Sequence, residues 1–290
     1  MKMHLSLRGK IGLYAFLIIV VIITLVPLLY TVSASFKTNF EIALGGINLI
    51  PNEPTFDNYK TVWGMSGTTL DSKTTYADYT LNSVKVSLMT VTLVVFFTSM
   101  SAYCFQRGNF PGRKFLYWLF MCTMFVGAGT ITIFPLLQIT TKLGLNNHVG
   151  LSIVQFGTAG ASNLFLTMGY LKTISKDLDE AAKIDGCSFF ATWWRIILPL
   201  SRPILATIAL MSFRSSWNSY LLPNLMLAGK QTNTTLVVAV VRLQSMGGAG
   251  ASQYNLMMAG TMLAMLPMLI LFLCMNKMFV EGITQGAVKG

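Results

Sequence analysis

Six apolar segments, each about 20 residues long, dominate this chain. A helix of about 20 residues crosses a hydrocarbon core of roughly 30 Å, and it satisfies its own backbone hydrogen bonds there. Only 11% of the residues are charged, against about 25% in a soluble globular domain. The chain is therefore predicted to be an all-α, polytopic membrane protein. Its six predicted transmembrane helices cover about 11–33, 82–105, 115–137, 151–171, 203–222 and 254–276.

The lysine and arginine residues predict the orientation of these helices, because short cytoplasmic loops carry an excess of both. With a cytoplasmic N-terminus, thirteen of them lie in inner segments and seven in outer segments. Both termini are thus predicted to be inside, and the long outer loops cover 37–80 and 223–253. The net charge of +11 follows this pattern. It forms no phosphate-binding stripe, so nucleic acid is not predicted as a partner.

The first segment is predicted to be a retained helix. Val32-Ser33-Ala34 would suit signal cleavage, but the apolar run exceeds the core of about 7–15 residues found in signal peptides. The four cysteines lie outside the predicted outer loops. A disulfide framework is therefore not predicted.

One polar loop carries a specific motif. Glu180-Ala181-Ala182 is followed after three residues by Gly186 and, nine residues later, by Ile196-x-Leu198-Pro199. This pattern resembles the EAA signature of the membrane-spanning subunits of bacterial ATP-binding-cassette importers. Further stretches resemble the second permease of maltose-type carbohydrate importers, namely Asn82-Ser83, Ala102 to Arg107 and Leu143 to Asn147.

The resemblance implies that loop 175–200 is a cytoplasmic coupling helix that docks on an ATPase subunit. Asp177 is expected to cap a short helix and Gly186 to form a bend. A second helix from about Ser188 carries aromatic side chains, which need a groove to bury them. The alternative is an amphipathic helix on the lipid surface, which Trp194 would suit. The residues implied in coupling are Glu180, Ala181, Ala182, Asp185, Gly186, Phe189, Phe190, Trp193, Leu198 and Pro199.

The fifth and fourth segments supply candidates for a solute path. Arg214 lies near the middle of the fifth segment, where an ionisable group is expected to face the bundle interior or a cavity. Amide, hydroxyl and aromatic groups near it suit a sugar. The alternative is that these polar side chains join helices to one another. The candidates are Arg214, Trp217, Asn218, Tyr220, Asn163 and Gln155, and the stretch from Trp217 resembles the family's W-N-x-[FY]-L-x-P.

The two outer loops each admit two interpretations. The aromatic residues of 37–80 form either an interfacial belt or a docking surface for an external partner. The loop before the sixth segment, 229–253, is either a flexible connector or, by resemblance, a contact for an external sugar-binding protein. The tail 281–290 approaches the ATPases in similar permeases. The aromatic residues of the first loop are Phe56, Tyr59, Trp63, Tyr76 and Tyr79.

No enzyme chemistry is predicted, since a phosphate-cradling G-x-x-x-x-G-K-[ST] loop is absent and His4 and His148 are isolated. The resemblance implies that residues 1–290 form one permease domain of a sugar importer in the bacterial cell membrane. Its implied partners are a second, homologous permease, two ATPase subunits that bind ATP and Mg²⁺, an extracellular solute-binding protein and membrane lipid. The alternatives are an importer of another small solute and an ion-driven secondary transporter. Predicted spans without acidic residues argue against the latter.

Overall fold

The computed structural model describes residues 7–46, 48–64, 74–125, 129–229, 231–247 and 252–287, and the regular elements among them are all helical. Three helices are long and apolar enough to cross a membrane, Gly9–Ser35, Tyr76–Arg107 and Tyr254–Cys274. Two bent helix pairs also qualify if each counts as one span, which gives up to five spans within these residues. The all-α, polytopic class is confirmed, whereas six spans and the orientation of the termini are not.

The α-helices are numbered along the chain. They are α1 (Leu7–Ser35), α2 (Asn39–Ala43), α3 (Asp57–Trp63), α4 (Tyr76–Arg107), α5 (Arg113–Phe125), α6 (Ile133–Lys142), α7 (His148–Leu171), α8 (Asp177–Ile184), α9 (Phe189–Thr192), α10 (Leu198–Leu200), α11 (Arg202–Trp217), α12 (Leu221–Met226), α13 (Leu236–Leu243) and α14 (Tyr254–Ala287). They fall into two compact units, one of Met1–Tyr76 with Ala239–Met265 and one of Ala77–Val238 with Leu266–Gly290.

In the first unit a buried asparagine fixes the end of α1. Asn58 on α3 donates from its Nδ2 to the carbonyls of Ser35 at 2.9 Å and Lys37 at 2.8 Å. Its Oδ1 accepts from Nδ2 of Asn255 on α14 at 2.7 Å. These bonds satisfy carbonyls at a helix end, where partners within the helix are missing. The described part of loop 37–80 is therefore bonded to the helices around it.

The aromatic side chains of that loop do not form one exposed surface. Tyr76 is buried, and Tyr59 and Tyr79 are half-buried. Phe56 and Trp63 remain 66% and 64% exposed. An interfacial belt and a docking surface both stay predictions, and Phe56 and Trp63 are the rings among those five that are exposed enough to serve either one.

The third predicted segment, 115–137, is not one continuous helix. Helix α5 ends at Phe125, a 3₁₀ helix covers Gly129–Thr132, and α6 begins at Ile133. Residues 126–128 lie outside the described part of the chain. The sequence around this break combines glycine with β-branched residues, which have low helix propensity. Hydrophobicity alone therefore overestimated the length of the helix.

The fourth and fifth predicted segments also differ from straight spans. The two halves of α7, His148–Thr158 and Gly160–Leu171, meet at 56°. Helix α11 ends at Trp217 rather than at 222, and residues 218–220 precede α12. Serine and asparagine dominate this end of α11, and such side chains compete for backbone hydrogen bonds and favour helix ends.

Candidate coupling site and solute path

The predicted coupling loop 175–200 forms two short helical stretches around a bend. Helix α8 is followed by Gly186, whose φ of +76° lies in the left-handed region that favours glycine. The chain is then helical from Phe189 to Leu200, through α9, the π-helix Trp193–Ile197 and α10. An 80° bend separates this stretch from α11. The helix–bend–helix arrangement agrees with the prediction.

The caps of these helices differ in part from the prediction. Asp177 is the first residue of α8 and not its cap. Ser175 occupies the capping turn, because its Oγ accepts from the Asp177 amide at 3.2 Å and donates to the Asp177 carboxylate at 2.9 Å. A serine hydroxyl two residues earlier is the right length for such a turn. Ser188 caps the second stretch and accepts from the Ala191 amide at 3.2 Å.

Two of the residues implied in coupling belong to the interior of the chain. Ala182 is 2% exposed and Trp193 is 1% exposed. Trp193 lies in a core cluster with Tyr103, Leu164 and Ile197. The indole of Trp193 is therefore buried within its own chain and not against a partner groove, and a part for Trp193 in coupling stays a prediction.

Large apolar side chains of the segment remain exposed, and we call five of them the coupling face. Glu180, Ala181, Asp185 and Gly186, which lie between them in sequence, are exposed as well. Large exposed apolar surfaces rimmed by polar residues mark interaction sites. The coupling face consists of Leu178 (40% exposed), Ile184 (86%), Phe189 (47%), Phe190 (53%) and Trp194 (52%).

The last turns of α4 hold this segment in place. Nε of Arg107 lies 3.1 Å from Oδ2 of Asp179, and Nη2 of Arg107 donates to the carbonyl of Ile174 at 2.6 Å. The hydroxyl of Tyr103 donates to Oδ1 of Asp179 at 2.8 Å, and its ring centroid lies 4.5 Å from that of Phe189. The sequence pattern assigned no role to these residues, although Tyr103 and Arg107 fall in the stretch that resembles the importer family.

The two amides predicted for the solute path are buried between helices. Gln155 on α7 accepts at Oε1 from the hydroxyls of Thr90 on α4, at 3.0 Å, and Ser216 on α11, at 2.6 Å. Asn163 donates to the hydroxyl of Ser212 on α11 at 3.4 Å. These bonds join α4, α7 and α11, as the alternative interpretation expects. A place in the path for Gln155 and Asn163 stays a prediction.

Of the four candidates from the fifth segment, one is buried and three are exposed. Trp217 is buried and its ring stacks on Phe213 at 5.6 Å. Arg214, Asn218 and Tyr220 are exposed. The side chain of Arg214 thus does not face the interior of this chain, which leaves a cavity as its expected place, and it makes no hydrogen bond or ion pair with the described residues. An ionisable group in a membrane-spanning helix is costly in lipid, so this face of α11 requires water or another polar surface.

Replacing Gln155 by leucine is expected to destabilise the second unit by about 1 kcal/mol, because interhelical hydrogen bonds in membranes contribute roughly 0.6 kcal/mol each. The measurement is the thermal midpoint of the purified chain in detergent. Gln138→Leu is the matched control, since Gln138 on α6 is exposed. Equal midpoints for the two variants would show that the amide of Gln155 does not join the helices.

The described residues hold no group of three or more His, Cys, Asp or Glu side chains that could bind a metal ion. What they define is a helical membrane protein with a compact, partly apolar helix–bend–helix segment. The family described as binding-protein-dependent transport system inner membrane component matches residues 95–285, and the chain belongs to this family. It is a multi-pass permease subunit of a bacterial ATP-binding-cassette importer, a transport component rather than an enzyme. The resemblance inferred from the EAA motif is confirmed.

Similar proteins cover nearly the whole chain. GanQ, a galactooligosaccharides transport system permease protein of Bacillus subtilis, is 33% identical over 96% of this chain and 94% of its own length. MalD, a maltodextrin transport system permease protein of Streptococcus pneumoniae, is 31% identical over 96% and 94%. A crystal structure of a bacterial ABC transporter involved in the import of the acidic polysaccharide alginate matches with a TM-score of 0.77 and 24% identity. That match covers 94% of this chain and 98% of the other, and it supports the fold.

Proposed function

We propose that this permease subunit translocates a sugar or oligosaccharide that an extracellular solute-binding protein delivers. The observation that carries the proposal is the set of relatives. The proteins of the galactooligosaccharide and maltodextrin systems are 33% and 31% identical to it, and each match spans over nine-tenths of both chains. Matches over whole chains support a similar helix arrangement around the solute in this permease.

In the proposed complex, both termini lie in the cytoplasm and segment 175–200 docks there on an ATPase subunit. Two such ATPases bind ATP and Mg²⁺, while this chain binds no cofactor. The coupling face supports the assignment, because its exposed rings and aliphatic side chains need a partner groove. Glu180 and Asp185 are exposed within the same segment. Closure of the ATPases would then move the helices attached to this segment.

The charge of α8 favours a protein partner over the lipid surface. The helix contains Asp177, Asp179 and Glu180 against one basic residue, Lys183, and follows Lys176. With Asp179 paired to Arg107, the remaining charges balance. The cytoplasmic leaflet is anionic and attracts basic segments, so a helix without an excess of basic residues gains nothing from it. The lack of a basic excess supports coupling over the interfacial alternative.

The solute path is proposed to run beside α11, between this chain and a second, homologous permease. Arg214, Asn218 and Tyr220 are exposed on α11 and its C-terminal end, where hydrogen-bonding groups and an aromatic face suit carbohydrate. Buried Gln155 and Asn163 support that wall from behind through their bonds to α11. The membrane lipid covers the remaining apolar helices.

The test is ATP hydrolysis and solute uptake by the complete complex in proteoliposomes, with binding protein and a panel of galacto-, malto- and arabino-oligosaccharides, amino acids and short peptides. We expect one class of oligosaccharide to stimulate hydrolysis and to be taken up only with ATP. Stimulation by a solute outside the sugars would replace the proposed cargo. Uptake by the permease alone, driven by an ion gradient, would instead indicate a secondary transporter.

A further inference from the structure

We propose that Arg107, Asp179 and Tyr103 form a positioning clamp that transmits movement of the coupling segment to α4. The proposal rests on the proposed docking of segment 175–200 on an ATPase, because the clamp needs a force to transmit. None of the three residues is part of the EAA signature itself. Arg107 and Tyr103 belong to α4, and Asp179 belongs to α8.

The carboxylate of Asp179 is held from two sides by one helix. Its Oδ1 accepts from the hydroxyl of Tyr103 at 2.8 Å, and its Oδ2 lies 3.1 Å from Nε of Arg107. The side chains of Arg107 and Asp179 are only 8% and 19% exposed. Two contacts on one carboxylate restrict both the distance and the rotation of α8 relative to α4, which a single exposed ion pair does not.

Asp179 is the point at which α8 itself is bonded to α4. Leu178, Glu180 and Ile184 are exposed, whereas Ala182 is buried. The short side chain of Ala182 provides contact but no directional bond. The clamp residues of α4 also contact the segment on both sides of α8, because Arg107 donates to the carbonyl of Ile174 and the ring of Tyr103 packs on Phe189. A shift of α8 can therefore reach α4 through Asp179.

The other end of α4 is bonded to the start of the second outer loop, 229–253. Nδ2 of Asn82 donates to the carbonyls of Thr232 at 2.8 Å and Thr234 at 3.1 Å. The hydroxyl of Ser83 accepts from the amide of Leu236 at 2.8 Å. These residues begin the stretch predicted to face the external binding protein. Helix α4 thus connects the two segments across about 38 Å, at 1.5 Å per residue from Asn82 to Arg107.

The experiment measures binding-protein-stimulated ATP hydrolysis, relative to basal hydrolysis, in the reconstituted complex. We expect Asp179→Asn, which keeps the volume of the side chain, and Arg107→Asp each to reduce stimulation by at least about fivefold, the usual size of a coupling between sites. The exchanged pair, Arg107→Asp with Asp179→Arg, should recover at least part of the loss. Tyr103→Phe should give a smaller reduction, because its ring still stacks on Phe189. Lys172→Met, an exposed cation after α7, is the control.

Co-purification of the ATPases and the thermal midpoint separate the possible failures. The clamp is supported if its variants still co-purify with the ATPases and keep the wild-type thermal midpoint, but lose stimulation of ATP hydrolysis by the binding protein. Wild-type stimulation in Asp179→Asn and Arg107→Asp, or an exchanged pair no better than either single variant, would overturn it. Loss of the ATPases at an unchanged midpoint would place Asp179 in the docking surface and also overturn the clamp. Docking of segment 175–200 on the ATPase is tested separately, by a substitution at Gly186.

Discussion

Replacing Gly186 by aspartate is expected to abolish stimulation of ATP hydrolysis in the reconstituted complex. A Cβ atom at this position meets nothing within 4 Å in its own chain, but the positive φ strains any side chain placed there. Aspartate tolerates positive φ better than most residues do, so the permease should keep its fold at a cost of about 1–2 kcal/mol. In the docked complex the new carboxylate would be buried beside the coupling face without a partner, at a cost of about 2 kcal/mol or more. That cost corresponds to more than about a tenfold loss of docking.

Gly112→Asp provides a matched control for this substitution. Gly112 also has a positive φ, +78°, and open space beside its Cα. It lies in the turn before α5 and outside the coupling face. The measurements are basal and stimulated ATP hydrolysis and the amount of ATPase that co-purifies. If Gly186→Asp assembled and responded like wild type, the coupling role of segment 175–200 would be wrong.

Replacing Trp193 by alanine is expected to destabilise the second unit by about 3–5 kcal/mol, the usual cost of a large-to-small change in a core. The indole is 1% exposed and makes an edge-to-face contact with Phe96 at 5.6 Å. Its ring centroid lies 5.1 Å from that of Phe190. The measurement is unfolding of the purified chain in detergent. Trp193→Phe should recover part of the loss, because it fills part of the cavity.

The neighbouring tryptophan supplies the control for this prediction. Trp194 is 52% exposed and belongs to the coupling face. Trp194→Ala should leave the stability of the chain within about 0.5 kcal/mol, as surface substitutions do, but should weaken docking of the ATPase. The opposite pattern, a stable Trp193→Ala that loses the ATPase, would return Trp193 to the docking surface.

Hydrophobicity and length were sufficient to place three of the predicted segments in continuous helices. Segments 11–33, 82–105 and 254–276 lie within α1, α4 and α14, each of which contains a candidate membrane span. The sequence did not predict the break in 115–137 or the end of α11 at Trp217. In both places local residue types that disfavour helix outweigh the hydrophobic average. A window of about 20 residues averages over such positions.

The spacing of the EAA motif predicted the bend at Gly186 but not which aromatic residues are buried. Trp193 and Trp194 are the same residue type at adjacent positions. Successive side chains on a helix point roughly 100° apart, so one ring is buried in the core and the other is exposed. Which ring is buried depends on where α4 packs, and the packing of α4 also places Arg107 beside Asp179. No local pattern contains these long-range pairings.

The bonds between α7 and α11 have a consequence for the insertion of this protein into the membrane. Asn163 and its hydroxyl partner on α11 are 49 residues apart in sequence. At a synthesis rate of about 5–20 residues per second, Asn163 is synthesised roughly 2–10 s before Ser212. Gln155 can bond to Thr90 of the earlier α4 during this interval, whereas the described partner of the Asn163 side chain, Ser212, has not yet been synthesised. We therefore expect α7 to remain beside the translocation machinery until α11 emerges, so that the two helices enter the bilayer as a pair.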